Sequence, residues 1–234
     1  MKAIVLFSGG QDSATCLMYA LTQCTEIVAL SFDYGQRHKQ ELKMAGRCLS
    51  QLHDITDQKI THIIRSVQFE RSSLLDKDSD INAPHELDNT LPSSFVPGRN
   101  LLFLTIAASI ARVRGIRKIY TGVCQTDYSG YPDCRDETIK ALQKALNLGL
   151  FTDDKGHIHI STPLMFLNKA DTWAMAKQIG SLLGIDGVKF IVENTLTDYN
   201  GDMTPNEWGY GKEDNPASIL RANGYREAKR KGKI

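Results

Sequence analysis

The 234-residue chain carries 28 Lys and Arg against 27 Asp and Glu, a formal net charge of +1, and 41% of its residues are hydrophobic. A chain of this length buries roughly 70% of its unfolded surface, so its core needs no disulfide or metal staple. The near-zero charge does not suit a general nucleic-acid or membrane-surface binder, and neither partner is expected. One asymmetry stands out: residues 226–233 hold five basic residues and one acid, a local charge of +4 that leaves −3 elsewhere. The plain reading of that stretch is a frayed basic terminus. Five cysteines (Cys16, Cys24, Cys48, Cys124, Cys134) are scattered and never spaced C-x-x-C, which fits neither a disulfide framework nor a self-contained zinc site. The N-terminus turns polar at Ser8, too early for a signal peptide. The apolar stretch 101–111 is short and interrupted by Thr105 and Ser109, so it does not span a bilayer. The expected compartment is the cytoplasm.

In chain order, residues 3–7 form a continuous apolar run, as expected of a strand buried on both faces. A helix follows through Cys16, Leu17, Ala20 and Leu21, then a second strand over 27–32 and an amphipathic helix over 37–52. A third strand fits 59–64. Residues 66–98 read as a long, proline-bearing loop of the functional kind. The spacing then predicts a helix over 100–114, a strand over 118–123, a helix over 136–148, a short strand over 157–161 and a helix over 168–183. Strand and helix in alternation imply parallel strands joined by crossovers, an α/β doubly wound sheet. Ligands of such sheets bind beyond the carboxyl ends of the strands. Three candidate strands lead there into polar sequence: Ser8-Gly9-Gly10, Asp33-Tyr34-Gly35-Gln36-Arg37-His38, and Gly122 onward.

Ser8-Gly9-Gly10-Gln11-Asp12-Ser13 stands between a buried strand and a helix start, where free N–H groups and the helix dipole favour an anion. Glycines permit close backbone approach, and the serine hydroxyls add donors for phosphate oxygens. No lysine follows as a Walker A loop requires, and the pattern is not G-x-G-x-x-G. The bland alternative is a glycine turn with Asp12 or Ser13 as an ordinary helix cap.

This loop resembles that of the adenine-nucleotide hydrolase-like ATP pyrophosphatases (PP-loop enzymes). Further segments narrow the likeness: Phe32 to His38 with Glu41-Leu42, Val96-Pro97-Gly98-Arg99-Asn100, Asp127 to Arg135, Thr162-Pro163-Leu164-Met165 before Lys169-Ala170, and Arg221-Ala222-Asn223-Gly224-Tyr225. Together and in order, they resemble the 7-cyano-7-deazaguanine synthase family of the queuosine pathway over essentially the whole chain. The resemblance implies a Rossmann-like PP-loop domain over residues 1–190. It also implies a small, partly helical C-terminal segment over 191–234 that covers the site. The implied activity joins ammonia to 7-carboxy-7-deazaguanine: the carboxylate is adenylated and aminated, and the resulting amide is adenylated and expels AMP to leave the nitrile. ATP and Mg²⁺ are the implied cofactors, the deazapurine and ammonia the partners, and a homodimer the assembly.

On this resemblance ATP is bound by Phe7, Ser8, Gly9, Gly10, Gln11, Asp12, Ser13, Ala14, Thr15, Cys16, Leu17, Ser31, Phe32, Asp33, Arg99, Asn100 and Gly122. Asp12 is a candidate partner of Mg²⁺. Arg99 and Lys169 are expected to neutralise charge on the departing pyrophosphate and, with Asp12, form the catalytic set. Arg99 as a surface ion-pair residue and Lys169 as a first-turn helix lysine are the plain alternatives. The deazapurine is expected against Tyr34, Gln36, Arg37, His38, Asp127, Tyr128, Ser129, Tyr131, Asp133, Cys134 and Arg135. There a tyrosine stacks on the ring and Asp133 accepts from a guanine-type edge; the alternative is a tightly turned structural insertion.

The chain departs from the family at the C-terminus. Where the family carries four zinc-binding cysteines, this sequence has Asp198, Lys212, Asn215 and Ser218. A lysine and three oxygen-bearing groups do not make a tetrahedral zinc site, so no structural zinc is expected. An Asp198–Lys212 ion pair is one expected substitute. The loss leaves a second reading open: an adenylating ligase that stops at the amide, or joins the deazaguanine to another amine or a protein acceptor, as in DNA modification or antiphage defence.

Overall fold

A computed structural model describes residues 1–36, 39–69, 84–85, 88–126, 131–152 and 157–234, with side chains left out at 84, 85 and 88–90. Five parallel strands form the sheet: β1 (Lys2–Leu6), β2 (Glu26–Asp33), β3 (Lys59–Ser66), β6 (Lys118–Tyr120) and β7 (His159–Ser161), in the order β3-β2-β1-β6-β7. The chain runs outward from β1 in one direction, then returns to its other side, so the order reverses between β1 and β6. That reversal is the switch point at which doubly wound sheets bind ligands. A two-stranded antiparallel pair, β4 (Pro84–His85) and β5 (Asp88–Pro92), lies within the long loop, and β8 (Pro205–Asn206) pairs with β9 (Gly209–Tyr210) near the end.

Residues of β1 alternate between two buried cores. Ala3, Val5 and Phe7 face α1 (Gln11–Leu21), α2 (Gln40–Ile55), α5 (Lys169–Leu182) and α6 (Gly187–Asn194), and Ile4 faces α3 (Arg99–Val113) and α4 (Asp136–Leu150). A strand apolar on both faces therefore has helices on both faces, as its unbroken run requires. β3 and β7 are the edge strands, and Arg65 of β3 is exposed accordingly.

Two elements differ from the spacing-based reading in ways that shape the site. The second helix begins at Gln40 rather than 37, since residues 34–36 form a turn in which the Tyr34 N–H donates to Gln36 Oε1 at 2.9 Å. β6 stops at Tyr120 rather than 123, because Gly122 passes so close to α1 that a Cβ there would lie 3.0 Å from the Asp12 carbonyl carbon. Two helices lie beyond the last one read from spacing. Asp186 caps α6 by accepting from the Lys189 N–H, and Asn215 caps α7 (Pro216–Arg230) by accepting from the Ser218 N–H. The basic end is therefore not frayed. Ala228 is fully buried in the core, and Arg226, Lys229, Lys231 and Lys233 pair with Glu213, Glu207, Glu227 and Asp171. Among the described residues, no helix is long and apolar enough to cross a membrane.

Candidate functional site

The loop after β1 folds around its own serines. Ser13 Oγ donates to the Gly10 carbonyl (3.0 Å) and accepts from the Ser8 N–H (3.2 Å), while Ser8 Oγ accepts from the Gly10 N–H (3.3 Å). Gly9 is at φ +90°, and a Cβ there would sit 2.7 Å from the Glu41 carbonyl oxygen, so only glycine lets the loop lie against α2. Gly10 occupies the N-cap position of α1, and no side chain caps the helix there. Neither Asp12 nor Ser13 is thus the ordinary cap of the bland reading. The first turn, Gln11 to Ser13, instead lines a cavity of about 260 Å³ at the switch point, its Gln11 N–H being taken by Thr197 Oγ1. Both polar atoms of the Gln11 side chain are buried there without a hydrogen-bond partner among the described residues. Unmade bonds of that kind are costly unless a ligand takes them up.

Asp12 turns from the loop toward α5. Lys169 Nζ donates to its two carboxylate oxygens at 2.8 and 3.1 Å, with the lysine side chain 8% exposed and the aspartate 26%. Lys169 is held from behind by α7. A Cβ on Gly224 would lie 2.6 Å from Lys169 Cβ, so the lysine stem is clamped by backbone. Lys169 is the first residue of α5, as the plain alternative has it, but its side chain is buried.

Phe7, Ser8, Gly10, Gln11, Asp12, Ser13, Phe32, Arg99, Asn100 and Gly122 of the expected ATP set line the cavity. Others of that set lie behind it. Ala14 and Leu17 pack into the core, Thr15 Oγ1 donates to the Gln11 carbonyl, and the Cys16 thiol, raised well above its ordinary pKa by burial, points to the Thr121 carbonyl. The cavity meets α1 only at its first residues, Gln11 to Ser13, and these four lie further along the helix. Ser31 Oγ donates to the Phe7 carbonyl at 2.6 Å, joining the ends of β1 and β2. Asp33 pairs with Lys39 at 3.1 Å, outside the cavity wall.

The expected deazapurine residues separate in the same way. Tyr34, Gln36, Tyr131 and Cys134 line the cavity. Phe32 and Phe103 stack in parallel with centroids 3.9 Å apart, and Tyr34 lies tilted against Phe103 at 5.6 Å, giving an aromatic wall suited to a flat ring. Arg99 stands over the Tyr34 ring at 5.8 Å, within the cavity wall rather than in a surface ion pair. Asp133 is used elsewhere: its Oδ2 accepts from the Asn100 N–H (2.9 Å) and Asn100 Nδ2 (3.1 Å), capping α3 from outside. Its Oδ1 accepts from the Cys134 thiol at 3.8 Å, and Asp133 itself does not line the cavity. Arg135 is exposed ahead of α4. Arg37, His38, Asp127, Tyr128 and Ser129 lie outside the described residues.

Wall residues outside the expected site set include Leu196, Thr197 and Tyr199, and Glu41 on α2. Thr197 Oγ1 accepts from the Gln11 N–H at 3.1 Å and from Arg221 Nη1 at 3.2 Å, so the C-terminal segment is stitched to the loop. Arg221 is fully buried, and it also donates to the carbonyls of Trp208, Thr195 and Ile191 at 2.9–3.3 Å. The sequence signals at hand were the Glu41-Leu42 segment of the family likeness and the position of Thr197 and Tyr199 on either side of Asp198.

The four positions that replace zinc cysteines converge on one hydrogen-bonded knot. Asp198, fully buried, accepts from the Asn200 N–H (2.8 Å), the Asp202 N–H (3.2 Å), the Lys212 N–H (3.3 Å) and Asn215 Nδ2 (2.9 Å). Ser218 Oγ donates to the Lys212 carbonyl. The expected Asp198–Lys212 ion pair does not form. Lys212 meets Asp198 through its backbone, and its ammonium turns outward to Asp202 at 2.9 Å. These side chains do not fit zinc. The carboxylate's lone pairs are directed at N–H donors, and the amide presents its nitrogen inward.

A family model described as queuosine biosynthesis protein QueC matches residues 2–229. The chain is 47% identical to the 7-cyano-7-deazaguanine synthase of Alkalilimnicola ehrlichii over 96% of its own length and 93% of that protein. It is 46% identical to the 7-cyano-7-deazaguanine synthase of Polaromonas naphthalenivorans with the same coverage. Among solved structures, a complex of a 4-thiouridine synthetase with RNA and bound ATP shows a TM-score of 0.46 and 16% identity, covering 97% of this chain and 53% of that one. With the full-length match and the shared order of motifs, the chain belongs to the queuosine biosynthesis protein QueC family.

Proposed function

We propose that the protein is an ATP-dependent C–N-forming ligase that converts 7-carboxy-7-deazaguanine and ammonia to 7-cyano-7-deazaguanine, releasing AMP and pyrophosphate. The observation that carries this reading is the start of α1, where Gly10 stands at the N-cap and Ser8, Gln11, Asp12 and Ser13 line a cavity at the switch point. Such a cradle suits the β- and γ-phosphates. An aromatic wall of Phe32, Tyr34 and Phe103 suits the flat rings. Asp12 offers the carboxylate oxygens that Mg²⁺ takes alongside phosphate oxygens, and the ion would supply charge neutralisation as pyrophosphate leaves. Lys169 and Arg99 bring fixed positive charge to the same region. A reducing cytoplasm suits five scattered, buried cysteines.

The test is product analysis with the carboxylate, ammonium and ATP. AMP and pyrophosphate are expected, with two ATP consumed per nitrile. ADP and orthophosphate would overturn the reading, and accumulation of the amide, or turnover only with another amine, would shift it to a ligase that stops short of the nitrile. We also take the assembly to be a homodimer, as the resemblance implies. Light scattering at assay concentration is expected to give twice the chain mass, and a monomer mass would reject it.

A further inference from the structure

Every N–H bond of ammonium is broken on the way to a nitrile, so the site needs a proton acceptor beside the reacting carbon. Among the described carboxylates of the cavity and its rim, Asp12 is held by Lys169 and Asp133 by Asn100. Glu41 is different. It stands in the first turn of α2, lines the cavity, and among the described residues its carboxyl makes no hydrogen bond or ion pair. Its position is fixed, because its own carbonyl abuts Gly9 of the phosphate loop. Resting on the function proposed above, we propose that Glu41 is the base that takes protons from the substrate nitrogen.

Glu41 is tuned for this work. Burial pushes its carboxyl up to about 7, against the opposing pull of Arg99 and with some help from Asp198. The other titratable groups facing it are poor acceptors at neutral pH. The Tyr34 phenol is raised by burial to about 12, and the Tyr199 phenol is also raised by burial. A base near the working pH combines a usable deprotonated fraction with real basicity.

In the first half-reaction ammonia adds to the acyl adenylate. Glu41 accepts an N–H proton, its electron pair stays on nitrogen, and the C–O bond to AMP breaks with its pair to the phosphate oxygen, leaving the amide. In the second, the amide oxygen attacks the α-phosphorus of a second ATP and pyrophosphate departs. Glu41 accepts one N–H proton to give the neutral imidate. After passing it to water, it accepts the second as the C–O bond breaks, AMP leaves and C≡N forms.

The experiment compares wild type with Glu41→Gln and Glu41→Asp in two assays. One is carboxylate-dependent exchange of labelled pyrophosphate into ATP without ammonia, which reads adenylation alone. The other is nitrile formation from pH 6 to 9 at constant free ammonia. Below about 7 the carboxyl is protonated and cannot accept, so the wild-type rate should rise with pH through that value and then level. Glu41→Gln should keep exchange within a few-fold, lose ~10²-fold or more in nitrile formation at neutral pH, and lack the rising limb. Glu41→Asp should retain an intermediate rate with a limb of its own. Nitrile formation by Glu41→Gln within three-fold of wild type, a change confined to the KM of the deazapurine, or an equal loss of exchange would each overturn the proposal. Absence of exchange in the wild type would instead reject the function on which it rests.

Discussion

Replacing Lys169 by methionine is expected to lower turnover by ~10²–10³-fold while the protein stays folded. Methionine keeps the unbranched stem that packs against α7 at Gly224, so the change removes the charge and leaves the packing. The stability penalty should be smaller than the roughly 3–5 kcal/mol typical of breaking a fully buried pair, because the Asp12 side chain is 26% exposed and water can reach it. Turnover should suffer for another reason: as pyrophosphate leaves, negative charge grows beside the loop, and a fixed ammonium within 3.1 Å of Asp12 is then no longer there. Lys169→Met combined with Asp12→Asn should lose far less than the product of the single losses if the two act as one unit. Steady-state AMP release and a thermal melt on each variant provide the check. Near-normal turnover in Lys169→Met would reduce the pair to a strut between α1 and α5.

The second large effect concerns stability. Asp198→Ala should destabilise the protein by about 3 kcal/mol, since removing a charged acceptor strands the N–H donors it served and opens a cavity. For a chain of this size, that corresponds to a fall in Tm of roughly 6–12 °C. The affected donors lie on Asn200, Asp202, Lys212 and Asn215, so the whole segment should loosen together. Because Thr197 is the next residue and bonds to the Gln11 N–H, the KM for ATP should rise as well. EDTA should leave the wild-type melt unchanged. A melt that collapses with chelator, or stoichiometric zinc by elemental analysis, would contradict a metal-free knot. A variant with cysteine at all four positions should gain chelator-sensitive stability if the segment has kept a zinc-compatible frame.

Features dictated by local chemistry were legible in the residues alone. The apolar run of β1, the glycine loop and the polar helix start demand a buried strand feeding an anion site, and alternating periods demand parallel strands with crossovers. The absence of cysteine at 198, 212, 215 and 218 was equally plain in the sequence. The α6 and α7 helices were less legible, although Asp186 and the Asn215-Pro216 pair are start signals. α6 spans only Gly187–Asn194, and the interior Gly224 and dense charge of α7 blur its apolar period.

Tertiary structure alone decided the pairings between residues far apart in the chain. Asp12 with Lys169, Asp133 with Asn100, and Thr197 with both Gln11 and Arg221 join segments whose proximity no periodicity encodes. It also separated wall from backing. Ser13 and Thr15 look alike as hydroxyls in a loop-to-helix segment, yet one lines the cavity and the other bonds to its own helix. Glu41 enters the sequence reading only as part of the Glu41-Leu42 segment of the family likeness, with no site role. It stands out only once folding buries its carboxyl beside the phosphate loop, because desolvation depends on what surrounds a group rather than on its sequence neighbours.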